Sequence, residues 1–138
     1  EIMDLEKLFK IRVGSDIFLT GKIDRVDAKS DGAIEIIDYK TGKMPDEKKL
    51  KKDMQLAIYA MAASDYGLYH KPIEKIDLSF YYLQHREKIT LKRTEEDIHD
   101  VKLHVREIAE KIREGIFPAQ KSRACDFCDF KMICEAWQ

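Results

Sequence analysis

The chain has 138 residues, enough for one domain with a substantial core. Its 25 Lys and Arg against 26 Asp and Glu leave a formal net charge of −1, so a nucleic-acid site has to be a local patch and not a global field. Hydrophobic residues make up 44% and charged residues 37%, the composition of a soluble globular protein, and no apolar run approaches the roughly 20 residues that a membrane helix takes. The charged opening EIMDLEKLFK reads as the approach to a strand and not as a signal peptide.

Residues 11–20 (IRVGSDIFLT) and 21–29 (GKIDRVDAK) alternate apolar and polar side chains as two strands do. Ser30, Asp31 and Gly32 spell a turn, and residues 33–39 return as a third strand of a meander. Pro45, Asp46 and Glu47 open a helix with acidic residues in its first turn. Leu50, Met54, Ala57, Ile58 and Met61 fall on one face of that helix, and Gly67 stops it. Residues 75–84 (KIDLSFYYLQ) form a fourth strand and residues 87–93 (EKITLKR) its hairpin partner. Thr94 and Asp97 cap a last helix whose apolar face is Ile98, Val101, Val105, Ile108 and Ile112 and which Gly115 closes. Pro118 begins a tail that carries the cysteines. The order βββαββα with a cysteine-bearing cap describes an α/β fold, with no internal repeat and no low-complexity linker.

Strand residues two apart share a face. In IEIIDYKTGK, residues 34–43, Asp38 and Lys40 therefore stand side by side where a buried strand ends. Asp24 lies mid-strand between Ile23 and Val26. An antiparallel pairing across the 30–32 turn puts Asp24 and Asp38 at the same end of the hairpin. Two converging carboxylates form a hard-oxygen site suited to Mg²⁺ or Mn²⁺. Without a cation, like-charge repulsion would keep one of them protonated. Lys40 could then hold the attacking water or offset charge developing on a phosphoryl oxygen. An isolated Asp-x-Lys is more often a strand-end ion pair contributing about 0–1 kcal/mol when exposed. Arg25 points away from Asp24 by alternation and suits either a phosphate or a surface ion pair. Lys43, Lys48, Lys49, Lys51 and Lys52 form the one basic cluster, beside this strand end, and serve either as phosphate contacts or as a solvated helix face.

Taken together, GKIDRVD, the turn, IIDYKTG and QLAIYA (residues 55–60) resemble the PD-(D/E)XK nuclease superfamily, above all its RecB-like branch of helicase–nucleases and CRISPR-associated exonucleases. The resemblance is strong from about residue 20 to 60 and rests on element order elsewhere. It implies a restriction-endonuclease-like α/β fold, a mixed central sheet flanked by helices, with a nuclease core over residues 1–120 and a cysteine-containing cap over 121–138. It implies that Asp24 and Asp38 ligate a catalytic Mg²⁺ or Mn²⁺ together with the backbone carbonyl of Tyr39, and that Lys40 is the catalytic lysine. Gln55 and Tyr59, one helical turn apart, match the family's QxxxY pair, which orients the lysine or contacts DNA near the scissile phosphate. Taken alone, Gln55 reads as a solvated side chain and Tyr59 as a core residue. The implied activity is Mg²⁺-dependent, exonuclease-type hydrolysis of DNA phosphodiesters, on single strands or ends, within a DNA repair or recombination helicase–nuclease. The helicase domain would lie in the same chain or in a separate partner chain, with no membrane partner. The alternative is a non-catalytic nuclease-fold module that holds DNA or another protein chain.

Cys125, Cys128 and Cys134 have the spacing C-x2-C-x5-C. An odd number clustered at one end makes a poor disulfide framework and points to a reducing compartment, the cytoplasm. The three thiolates are one short of a closed tetrahedral site. Their spacing resembles the C-terminal cysteines of iron–sulfur RecB-like nucleases, which implies a [4Fe-4S] cluster whose fourth ligand is an upstream cysteine that this sequence lacks. His70, His85, His99 and His104 have no ligand spacing to these cysteines. The other reading is three reduced cysteines packed with Phe127, Phe130 and Trp137. The family also has a helix ahead of the first strand, bearing a His or Glu that completes the metal site. Residues 1–10 offer Glu1, Asp4 and Glu6 but too little length for it. Both absences lead to the expectation of an N-terminal truncation.

Overall fold

In the computed structural model, which describes residues 1–137, five strands form one mixed sheet whose spatial order follows the chain: β1 (Ile2–Arg12), β2 (Phe18–Ala28), β3 (Ile34–Lys40), β4 (Ile76–Tyr82) and β5 (Glu87–Leu91). Neighbours pair antiparallel except β3 and β4, which run parallel. A parallel pairing needs a crossover, supplied here by α1 (Glu47–Lys51) and α2 (Met54–Ser64); α3 (Glu95–Arg113) follows β5. This is the expected α/β class, a mixed five-stranded sheet with flanking helices. The chain packs as two compact units, Glu1–Arg106 and Glu107–Gln138. No helix among the described residues is long and apolar enough to cross a membrane.

Two elements differ from the sequence expectation. The first strand is Ile2–Arg12, not residues 11–20; Val13 and Gly14 turn the chain instead, both donating their N–H to the Ile17 carbonyl (2.9 and 3.4 Å). Gly14-Ser15-Asp16 is turn chemistry that the flanking apolar residues disguise as alternation. The expected single helix is two helices. Asp46 caps α1 by accepting from Lys49 N (2.9 Å), and Asp53 restarts the chain as α2 by accepting from Leu56 N (3.2 Å). Met54, expected to face inward, is 39% exposed. α2 itself is apolar all round and buried at Leu56, Ala57, Tyr59, Ala60, Met61, Ala62 and Ala63, as a central helix must be.

One face of the sheet and α2 enclose the core, with Phe9, Ile23, Val26, Ile36, Leu56, Leu78 and Phe80 in a single cluster. Each such side chain contributes about 1.5–3 kcal/mol by leaving water. Ile98 joins them from α3, where Val101 and Val105 are half-buried and Ile108 and Ile112 exposed.

Ile23 and Val26 are both fully buried in this one cluster, which strict alternation forbids for residues three apart on a strand. The strand is irregular between them. The β1–β2 ladder pairs Leu5 with Arg25 and Lys7 with Ile23 and passes over Glu6 and Asp24. Glu6 has a left-handed φ of 53°, and the β2–β3 ladder ends at Arg25–Ile37. Irregularities of this kind re-aim a side chain, and the one re-aimed here is Asp24. At the other end of the hairpin, Gly32 takes a φ of 79° and Asp31 Oδ1 accepts from Ala33 N (3.1 Å), as the turn signal requires.

Candidate active site

Beyond the last β2–β3 rung, the Tyr39 N–H donates to Asp24 Oδ2 at 3.0 Å. The carboxylate of one strand thus replaces the backbone carbonyl that a regular ladder would offer. This hydrogen bond ties Asp24 to the segment that carries Asp38 and Lys40. Both acids thus lie at the same end of the hairpin, Asp24 on the N–H of the residue next to Asp38.

Asp38 is 4% exposed. Its Oδ1 accepts from Gln55 Nε2 (3.0 Å) and lies 3.1 Å from the Tyr59 hydroxyl. Lys40 Nζ sits 2.6 Å from Asp38 Oδ2. That contact lies outside hydrogen-bond geometry, so this buried oxygen has no hydrogen-bond partner among the described residues. The short distance reflects charge attraction, while the angle decides hydrogen bonding. Lys40 instead donates to Gln55 Oε1 (2.7 Å), and its ammonium lies 4.9 Å from the centre of the Phe80 ring.

Gln55 is the hub. It accepts from Lys40 and donates both to Asp38 and to the Tyr59 oxygen (2.8 Å), using three of the four hydrogen bonds an amide can make. The Tyr59 hydroxyl is 3.1 Å from both Asp38 Oδ1 and the Lys22 carbonyl, and its single proton serves one at a time. Burial, reinforced by the Asp38 carboxylate, holds this phenol far above its usual pKa, so it stays a neutral donor. Phe9 fixes the ring from the side, edge-on at 6.3 Å. Phe9 can lie there because position 21 is glycine: a Cβ on Gly21 would meet the Phe9 ring at 2.5 Å. Phe9 and Gly21 carry no sequence signal of this role.

Do these residues fit a divalent cation? A buried carboxylate oxygen without a donor is costly, and a hard cation is the natural partner for it beside a second carboxylate. The donor set fits. Among the described residues, no three His, Cys, Asp or Glu side chains gather around a point that could hold a metal. The side-chain share of such a cation would be the two aspartates, which would leave positions for water and phosphate, as Mg²⁺ prefers.

The remaining sequence candidates fall in three places. Lys48, Lys49, Lys51 and Lys52 line a groove of about 540 Å³ with Asp46. Lys43 and Lys49 border a second groove of about 370 Å³ that Lys40, Phe80 and Tyr82 also line. Arg25 is held by Asp27 through two hydrogen bonds (2.7 and 2.8 Å), an ion pair and not an open phosphate site. The Tyr39 ring stands edge-on to Tyr81 at 6.0 Å.

In the second unit, Cys125, Cys128 and Cys134 are free and half-buried. Cys125 Sγ accepts from Ser122 N (3.3 Å), a bond that lowers its thiol pKa. Of the aromatic residues in the alternative packing, Phe127 (91% exposed) and Phe130 (69%) point to solvent, while Trp137 interacts with the Cys125 thiol and has the ammonium groups of Lys121 and Lys131 near its ring (5.0 and 4.1 Å). By themselves these three cysteines do not fit a closed four-ligand cluster.

A stretch of 41 residues is 44% identical to one of the subunits of the ATP-dependent helicase/deoxyribonuclease of Streptococcus pyogenes serotype M49 (strain NZ131), and equally to its counterpart in serotype M1. The match takes in 30% of this chain and only 4% of each relative. The crystal structure of SSO0001 superposes with a TM-score of 0.55 at 23% identity, covering 98% of this chain and 61% of that one, which speaks to the fold alone. The family model of the PD-(D/E)XK nuclease superfamily matches residues 1–135, and the chain belongs to that superfamily.

Proposed function

We propose that this chain is a Mg²⁺- or Mn²⁺-dependent DNA nuclease domain of the RecB-like type, acting on single strands or DNA ends within a larger helicase–nuclease. The observation that carries the reading is the buried Asp38 Oδ2, left without a hydrogen-bond donor beside Asp24 and Lys40. Asp24, Asp38 and the Tyr39 carbonyl are the groups that would hold the cation, which when bound supplies Lewis-acid polarisation of a phosphoryl oxygen and acidifies water. Lys40 brings a fixed positive charge to the end of β3, placed to orient the attacking water or to offset charge on the phosphoryl group. Gln55 restrains that ammonium and Asp38 together, so neither has to reorganise during reaction. The neutral Tyr59 donor steadies Asp38 from the core side. Lys43, Lys48, Lys49, Lys51 and Lys52 neutralise strand phosphates without reading sequence, which makes binding salt-dependent. The streptococcal relatives carry helicase and deoxyribonuclease in their name, which supports a helicase domain or partner for this chain. With a fourth cysteine from a longer protein, Cys125, Cys128 and Cys134 would be three of the four thiolates of a [4Fe-4S] cluster, in keeping with a reducing cytoplasm. Among the described residues they do not gather around one point, and no step above runs through them.

End-labelled single-stranded DNA tests the reading. Cleavage should need added Mg²⁺ or Mn²⁺, stop with EDTA, and vanish in Lys40→Ala. Cleavage that persists in EDTA, or DNA binding without any cleavage by the complete protein, would overturn it.

A further inference from the structure

Arg93 sits in the link between β5 and α3 and is 7% exposed. Its partners among the described residues are backbone carbonyls: Nη1 donates to Lys92 O (3.2 Å), and Nη2 donates to Leu50 O (3.2 Å) and Asp53 O (3.0 Å). Leu50 belongs to the last turn of α1 and Asp53 is the N-cap of α2, so one guanidinium group spans the joint between the two helices. A cation suits the carbonyl end of a helix, and the rigid guanidinium fork can serve two acceptors where an ammonium serves them poorly. Burying that charge is costly unless its donors are used.

Across the joint itself the chain makes only local backbone bonds, Lys52 N to Lys49 O (3.1 Å) and Asp53 N to Leu50 O (3.2 Å), and Arg93 adds the tie from a distant part of the chain. α1 is five residues long, and of its described side chains only Leu50 is buried; Lys48, Lys49 and Lys51 are exposed. Two residues beyond Asp53 comes Gln55, which links Lys40, Asp38 and Tyr59. We propose that Arg93 is a positioning residue: by fixing the α1–α2 joint it places Gln55, and through Gln55 it sets Lys40 against Asp38. The proposal rests on the nuclease reading above.

The experiment is a double-mutant cycle in single-turnover DNA cleavage, with Arg93→Met, Arg93→Lys and Gln55→Ala made singly and in combination, and melting temperatures measured alongside. Arg93→Met should lower kcat by about 10- to 100-fold, the scale of a small misplacement, with KM changed less than about 3-fold. In the Gln55→Ala background the same substitution should cost less than about 3-fold, because residues that act as a unit are not additive. Arg93→Lys should recover part of the loss, and it replaces Arg93→Met in the cycle if that variant does not fold. An equal loss in both backgrounds, a loss confined to KM, or no loss at all would overturn the proposal. Wild type and Lys40→Ala run in the same assay separate the two ideas: no metal-dependent cleavage by the wild type sinks the nuclease reading itself, and full cleavage by Lys40→Ala removes the role given to Lys40, whatever Arg93 does.

Discussion

Glu35 and Asp38 stand three residues apart on β3, on opposite faces of the sheet, and both are less than a tenth exposed (8% and 4%). Their surroundings differ in kind. Glu35 Oε1 accepts from Ser79 Oγ (2.6 Å) and from Lys88 Nζ (2.8 Å). Burial alone would raise the Glu35 pKa, but Lys88 and Ser79 outweigh it and hold the carboxyl below its usual range. Asp38 likewise takes its hydrogen bonds on one oxygen, Oδ1, but its other oxygen is buried and meets the Lys40 ammonium at 2.6 Å outside hydrogen-bond geometry. A carboxylate that serves stability finds donors within the fold. One whose buried oxygen has an ion-paired ammonium beside it but no hydrogen-bond donor keeps an acceptor that a cation from outside the chain would satisfy.

The largest expected effects come from exchanging the charges of these two acids. Asp38→Asn should lower cleavage by at least about 10²–10³-fold, the scale of removing one preorganised electrostatic group, and should leave the urea midpoint unchanged or raised. Glu35→Gln should do the reverse. It strands Lys88, so unfolding free energy should fall by about 1–3 kcal/mol, toward the lower end because the Lys88 side chain is 43% exposed, while cleavage per folded molecule stays within about 3-fold. Matching effects on both properties in both variants would erase the distinction.

A smaller effect separates the faces by pH. Asp27, held down chiefly by its Arg25 hydrogen bond, and Asp77, held down by Lys29 and Lys92 against its burial, share the charged face with Glu35. Each of the three has a folded pKa below its ordinary value of 3.8 or 4.5. Their stabilisation is thus complete above those values and fades as pH falls through the folded pKa. Urea midpoints should be flat above about pH 5 and drop below about pH 4, with a shallower drop in Glu35→Gln. An acid slope identical to wild type in that variant would remove Glu35 from the account.

Much of the fold is legible in the sequence because its signals are local. The 30–32 turn, the strand order and the reciprocal Thr94–Asp97 cap (Asp97 N to Thr94 Oγ1 at 3.2 Å, Thr94 N to Asp97 Oδ2 at 2.7 Å) all depend on neighbours in sequence. The first strand is misplaced by pattern alone because Gly14-Ser15-Asp16 lies inside a run of β-formers. The α1–α2 break is hidden because Asp53 looks like one polar position of an amphipathic helix. Asp24, Asp38 and Lys40 stand out by strand spacing, whereas Gln55 and Tyr59 can be named only through the family resemblance. Hydrogen bonds and an ion pair join Asp38, Lys40, Gln55 and Tyr59, and Asp24 holds the Tyr39 N–H beside them. The irregularity that turns Asp24 toward Tyr39 leaves no such trace, since it depends on the backbone of Glu6 across the ladder. Nor does Arg93, two of whose three acceptors are carbonyls 43 and 40 residues away.

Mn²⁺ binding followed by electron paramagnetic resonance tests the central claim most directly, with no need for catalysis. One bound ion is expected in the wild type and in Glu35→Gln, and none in Asp38→Asn or Asp24→Asn at the same concentration. Undiminished Mn²⁺ binding by Asp38→Asn would contradict the claim that these two aspartates share a cation.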